Sequence, residues 1–127
     1  MRVVLDTSVL IEGAELPPGV ESSISTVSLA ELHFGLLVAP DQEARANRVA
    51  RLGLIEARFP SPLPVDDRVA RGWGRLKAAV AQRGGKPRKR MADLAIAATA
   101  NVHGAELMTY NAKDFKIIED LVALRAL

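Results

Sequence analysis

The 127-residue chain contains no cysteine. That removes disulfides, thiolate zinc sites and cysteine nucleophiles together. It also lacks any apolar run near the ~20 residues needed to cross a membrane. Its first apolar run, Val3–Leu5, meets Asp6 too early to serve as a signal peptide. The expectation is a cytoplasmic protein that makes no use of a membrane. Internal repeats and low-complexity tracts are missing, which argues against a solenoid. A one-sided charge is missing too: the net charge is only +2, which by itself does not argue for a nucleic-acid partner. What is present is ordinary for a globular chain, with 49% hydrophobic and 25% charged residues. The length fits a single domain over residues 1–127, large enough to bury roughly 68–70% of its unfolded surface.

The chain alternates strand and helix patterns. Val3–Leu5 reads as a buried strand with Arg2 at its start, and SVLIEGAE as a helix ended by Pro17–Pro18. Ser22–Ser25 is a second strand. Helical spacing follows in VSLAELHFGLLVA, broken at Pro40–Asp41, and again from Asp41 to Phe59 with Val49, Leu52, Ile55 and Phe59 on one face. The two form an αα-hairpin after strand two. Pro60, Pro62 and Pro64 bracket an edge strand around Leu63 and Val65. Asp66–Gln82 is a helix, followed by the basic loop GGKPRKR (84–90). ADLAIAATANV, apolar nearly all round, predicts a buried helix ending at His103–Gly104. AELMTYN is a strand, and the tail supplies a helical turn and a last strand. This alternation predicts an α/β fold: a parallel sheet of four or five strands covered by helices on both faces.

In such a sheet, function gathers beyond the carboxyl ends of the strands. Asp6 directly follows the first strand. Glu31 lies in the opening turns of the helix after the second. The helix carrying Asp93 runs antiparallel to the strand Glu106–Thr109, which brings Asp93 level with Tyr110–Asn111. Asp114 follows on the same side. Each acid has a merely structural alternative: Asp6 as a helix cap, Glu31 as the acid of a Ser28–Glu31 capping box, Asp93 as a macrodipole partner, Asp114 as a turn acid. Jointly, several carboxylates at one edge repel one another. A hard divalent cation such as Mg2+ or Mn2+ relieves that repulsion through oxygen ligands.

At these residues the chain resembles the PIN domains and, among them, the VapC-type toxins of bacterial toxin–antitoxin pairs. The segments VVLDTSVLIE, STVSLAELHFG, MADLAIAATA and MTYNAKDF occur in that family's order and near its spacing. The resemblance implies a PIN-like three-layer sandwich and a metal-dependent endoribonuclease acting on transfer or ribosomal RNA. The family's acids fall on Asp6, Glu31 and Asp93, with Asp6 and Asp93 as metal ligands and Ser8 supporting Asp6 or a metal-bound water. One departure stands out. Where many PIN domains place a fourth acid after the last motif strand, this chain has Asn111, expected to support the site, and the next acid is Asp114, the fourth catalytic candidate. The resemblance also implies a homodimer and a VapB-like antitoxin. Such an antitoxin lays an apolar segment beside the hairpin Val27–Phe59 and points a basic side chain at the acids. The hairpin's own composition agrees, since Leu29, Leu32, Phe34, Leu36, Leu37 and Val38 exceed what one buried face needs.

Other residues take their roles from placement. Lys86, Arg88, Lys89 and Arg90 lead into the Asp93 helix and are expected to hold RNA phosphates. Arg45, Arg48, Arg51 and Arg58 read as a solvated face, with an acidic antitoxin segment as the rival. Trp73, at helical spacing with Val69 and Leu76, reads as core, and so does Phe115. His33 and His103 do not form a metal-free acid–base pair, because His103 falls at the opposite sheet edge. Two other functions compete. A housekeeping RNA-processing nuclease would use the same site. A phosphoacceptor receiver domain would need paired acids after strand one, and only Asp6 is there.

Overall fold

The computed structural model describes residues 1–127. Four parallel strands, β1 (Arg2–Leu5), β2 (Glu21–Ser23), β3 (Glu106–Thr109) and β4 (Leu124–Ala126), form one sheet in the order β2-β1-β3-β4. Leu5 pairs with Met108 at the carboxyl end of the central pair. The helices are α1 (Thr7–Glu12), α2 (Thr26–Leu37), α3 (Gln42–Arg58), α4 (Asp67–Gln82) and α5 (Met91–Val102). Two 3-10 segments, Pro87–Arg90 and Ala112–Ile118, complete the chain.

The central strands are apolar over Val3–Leu5 and Leu107–Met108, because both faces are covered there. Along β1 the side chains alternate. Val4 enters a core with α4, α5 and the second 3-10 segment, whereas Val3 and Leu5 enter a core with α1, α2 and α3. On β3, Leu107 and Met108 divide in the same way. Each such buried aliphatic contributes roughly 1.5–3 kcal/mol. Helix α5 is buried from Leu94 to Ala100, which accounts for its apolarity on all sides. Its alanines let α4 approach closely: a Cβ added to Gly72 would sit only 3.6 Å from Ala98 and Val102.

Short polar side chains start the helices. Asp6, Ser25, Asp41 and Asp66 each accept a backbone N–H at the start of α1, α2, α3 and α4. Gly104 follows α5 with φ 62°, as expected for a left-handed helix stop.

Several expected boundaries shift. Helix α1 stops at Gly13 (φ 81°), not at Pro17–Pro18, because glycine alone enters that conformation freely. The edge strand around Leu63 and Val65 is reduced to one parallel bridge between Ser25 and Leu63, since the flanking prolines cannot donate to a ladder. On α3, Leu52 and Ile55 are buried but Val49 is exposed. The basic loop is partly a 3-10 turn with Pro87 at its start. Within the loop, a Cβ on Gly85 would lie 2.7 Å from a Val80 methyl and 2.8 Å from the Ile117 methyl end, so any larger residue there would force both side chains to shift.

Candidate active site

At the carboxyl edge of β1 and β3 a cleft of about 720 Å3 is lined by Asp6, Ser8, Glu31, Asp93, Tyr110 and Asn111, among others. Of the four acids that the sequence placed at one edge, Asp6, Glu31 and Asp93 share this cleft and Asp114 does not line it. The three arrive on different elements: the end of β1, the second turn of α2 and the first turn of α5.

Asp6 is 3% exposed. Its Oδ1 accepts from the Thr7 backbone N–H (2.9 Å). Its Oδ2 accepts from Ser8 Oγ (2.8 Å) and from Thr109 Oγ1 (2.7 Å). The two hydroxyls are themselves oriented. Tyr110 N–H donates to Ser8 Oγ (3.2 Å), and Asn111 N–H donates to Thr109 Oγ1 (2.9 Å). Each chain runs from backbone N–H through a hydroxyl to the carboxylate, which offsets the cost of burying it. Asp6 therefore is a helix cap and also a fixed wall of the cleft.

Glu31 is held similarly. Thr7 Oγ1 donates to Glu31 Oε1 (2.7 Å) and lies 2.9 Å from Ser28 Oγ. With its one proton given to Glu31, Thr7 accepts from Ser28. The capping-box alternative for Ser28–Glu31 fails, because Ser25 caps α2 and Glu31 lies too deep in the helix to reach the free N–H groups.

Asp93 makes no hydrogen bond to another side chain or N–H. Its carboxyl is pushed up to about 6, first by burial, then by the charges of Asp6 and Glu31, with Asp114 adding slightly and Arg90 opposing. Asp114 does not line the cleft. It is paired with Arg90 (3.1 Å) at the rim, so Arg90 differs from Lys86, Arg88 and Lys89, which have no acidic partner. Asn111 lines the cleft where a fourth acid would otherwise stand.

No three Asp, Glu or His side chains are closed into a finished metal cage. The donor set nevertheless suits a hard divalent cation. All donors are oxygens, and Asp93, raised first by burial, is raised further by the charges of Asp6 and Glu31, a repulsion that a cation would relieve.

Thr7, Ser28 and Thr109 were not anticipated. Thr109 leaves a signal: it is a polar residue that follows the apolar pair Leu107–Met108, one position beyond the Leu5–Met108 pairing and so beside Asp6. The histidines are elsewhere. His33 pairs with Glu56 (2.9 Å) on the hairpin surface, and His103 lines a separate cavity with Arg2 and Glu21 at the opposite edge. Trp73 packs against the core with Lys77 Nζ over its ring at 4.4 Å, and Phe115 is fully buried.

Comparison with known proteins agrees with this geometry. The PIN domain family model matches residues 3–121. Ribonuclease VapC4 of Mycobacterium tuberculosis is 36% identical over 126 residues, covering 94% of this chain and 93% of that protein. Ribonuclease VapC5 of the same organism is 37% identical over 124 residues, covering 91% and 87%. In solved structures, the VapBC-5 toxin–antitoxin system of M. tuberculosis aligns with a TM-score of 0.83 at 35% identity, over 99% of this chain and 97% of that one. VapBC2 of Rickettsia felis, at 23% identity and TM-score 0.80 over 100% and 99% of the two chains, shares the fold. With the sheet order, the acidic cleft and these matches in agreement, the chain belongs to the PIN-domain family, in its VapC branch.

Proposed function

We propose that the chain is an Mg2+- or Mn2+-dependent endoribonuclease, the toxin of a type II toxin–antitoxin pair, acting on transfer or ribosomal RNA. The observation that carries this reading is the meeting of Asp6, Glu31 and Asp93 in one cleft of a VapC-family chain. Asp6 and Asp93 are the proposed metal ligands, and Glu31 completes the acidic wall. A bound divalent ion would supply an activated water and neutralise charge at the scissile phosphate. The chain's own residues prepare that step. Ser8 and Thr109 fix both the position and the charge-bearing face of Asp6. Thr7 aims Glu31. Asp93, free of hydrogen bonds, can turn toward an entering cation.

Lys86, Arg88 and Lys89 stand at the start of α5 and offer cations to the RNA backbone that the acids alone would repel. Asp114 holds Arg90 at the rim. In this reading it positions a cation, while Asn111 keeps the cleft floor polar.

The α2–α3 hairpin supplies the partner surface. Phe34 and Leu37 are each 66% exposed, Leu54 is 75% exposed, and Val38 and Val49 are also open. A VapB-like antitoxin covering this patch, and a homodimer of the toxin, complete the proposal. The test of the core claim is direct. Purified protein should cleave RNA with Mg2+ or Mn2+ and stop when a chelator removes the ion. Cleavage that persists in chelator would refute it.

A further inference from the structure

The acidic cleft is not the only built concavity. Helices α4 and α5 border a second one, of about 490 Å3, whose lining includes Arg68, Arg71, Arg75, Val102 and Leu121. The three arginines occupy positions i, i+3 and i+7 of α4, so they share one helix face over ~10 Å. All three are exposed. None has a carboxylate within ion-pair distance, whereas Arg2, Arg83, Arg90 and Arg125 are each paired with an acid. One bond ties the row down: Arg68 Nη2 donates to Val102 O at 3.3 Å.

Snorkelling over Leu76, Val102 and Leu121 explains why long side chains are useful here. It does not explain three like charges around one cleft, which repel one another. A second copy of the chain is a poor occupant, because a two-fold contact would set arginine against arginine. The complement of this surface is a polyanion, and guanidinium forks match phosphate geometry.

Its location ties it to the acidic cleft. Arg68 reaches the last residue of α5, whose first turn carries Asp93. The two clefts are therefore separated by ~14 Å of one rigid buried helix. The basic turn Lys86–Lys89 joins α4 to α5 at the other end, so the helix pair presents cations at both ends.

We propose that the Arg68–Arg71–Arg75 cleft is a second phosphate-binding surface that grips the body of a folded RNA whose backbone lies in the acidic cleft. This rests on the nuclease reading above, and it makes the choice of RNA depend on overall shape as well as on the bases at the cut.

The test compares the wild type with R68Q/R71Q/R75Q and with R68K/R71K/R75K. Binding of bulk transfer RNA is measured in chelator across a range of salt. Loss of three phosphate contacts should flatten the slope of log affinity against log salt by about 2, and lower affinity about a hundredfold near 0.1 M salt. The lysine variant should keep the slope. Should the triple glutamine variant fail to fold, Arg71→Gln alone should give about a third of the slope change. A folded glutamine variant with wild-type affinity and slope would overturn the inference. So would a variant that binds RNA normally but loses self-association or an acidic protein partner. RNA cleavage by the wild type is scored separately: its absence refutes the nuclease reading, while its presence beside an unchanged slope refutes only this surface.

Discussion

The two helical layers cover the same sheet but use their apolar residues differently. On one side α5 is buried from Leu94 to Ala100, and α4 closes over it through Val69, Leu76 and Val80. That layer is finished. On the other side α2 and α3 bury little more than Leu32, Leu52 and Ile55 and leave Phe34, Leu37, Val38, Val49 and Leu54 in solvent. Both sides nevertheless contribute acids to the cleft, Asp93 from the finished side and Glu31, with Glu12 of α1, from the open side. The difference teaches that apolar composition alone does not make a closed layer. The closed one holds a carboxylate on a rigid buried helix, and the open one leaves apolar surface uncovered, which is where the proposed partner would sit.

The largest expected effect tests whether the closed layer's acid is indispensable. Asp93→Asn keeps the shape and removes the charge. If Asp93 is a metal ligand as proposed, the change withdraws it from an ion that would supply several kcal/mol, so RNA cleavage should fall at least about a thousandfold while the fold survives. Cleavage near the wild-type rate would detach Asp93 from catalysis.

Stability should separate the layers next. Ile96→Ala on α5 leaves a cavity and should cost about 2–5 kcal/mol in denaturant unfolding. Leu54→Ala on α3 should stay within about 0.5 kcal/mol. Equal losses would erase the contrast.

The partner role proposed for the open layer is checked by Leu37→Asp. Leu36 packs partly into the core, so Leu37 is the informative position. Antitoxin binding should weaken at least about tenfold, about 1.4 kcal/mol, with RNA cleavage changed less. The reverse pattern would return the patch to ordinary surface.

The smallest effect is in pH. Asp93 titrates near 6 in the folded chain, raised by burial and then by Asp6 and Glu31, against roughly 3.9 when unfolded. The folded state holds this proton more tightly. Its stabilisation is complete below about pH 4 and is lost as pH rises through 6. In metal-free protein, the wild type should lose about 1–2 kcal/mol relative to Asp93→Asn between pH 4 and pH 7, allowing for solvent screening. Parallel pH profiles for the two proteins would contradict the crowding of the acids.

Local chemistry was legible in the sequence. The apolar run at Val3–Leu5, the buried helix in ADLAIAATANV, the helix starts at Asp41 and Asp66 and the glycine stop at Gly104 appear where periodicity and propensity put them. The order of strand and helix implied a parallel sheet, and strand ends in such a sheet implied an edge where Asp6, Glu31 and Asp93 would meet. These inferences need only neighbours in the chain and general rules of topology.

What the sequence could not state depends on distances between remote segments. Thr109 reaching Asp6 across 103 positions, Thr7 choosing Glu31 and Asp114 turning aside to Arg90 are all settled by packing. So are the exposure of Val49, the reduction of the Leu63 strand to one bridge and the gathering of three arginines around one cleft. Periodicity assigns a residue to a face of its own element. Whether that face meets a neighbour, a ligand or water is decided only when the elements close on one another.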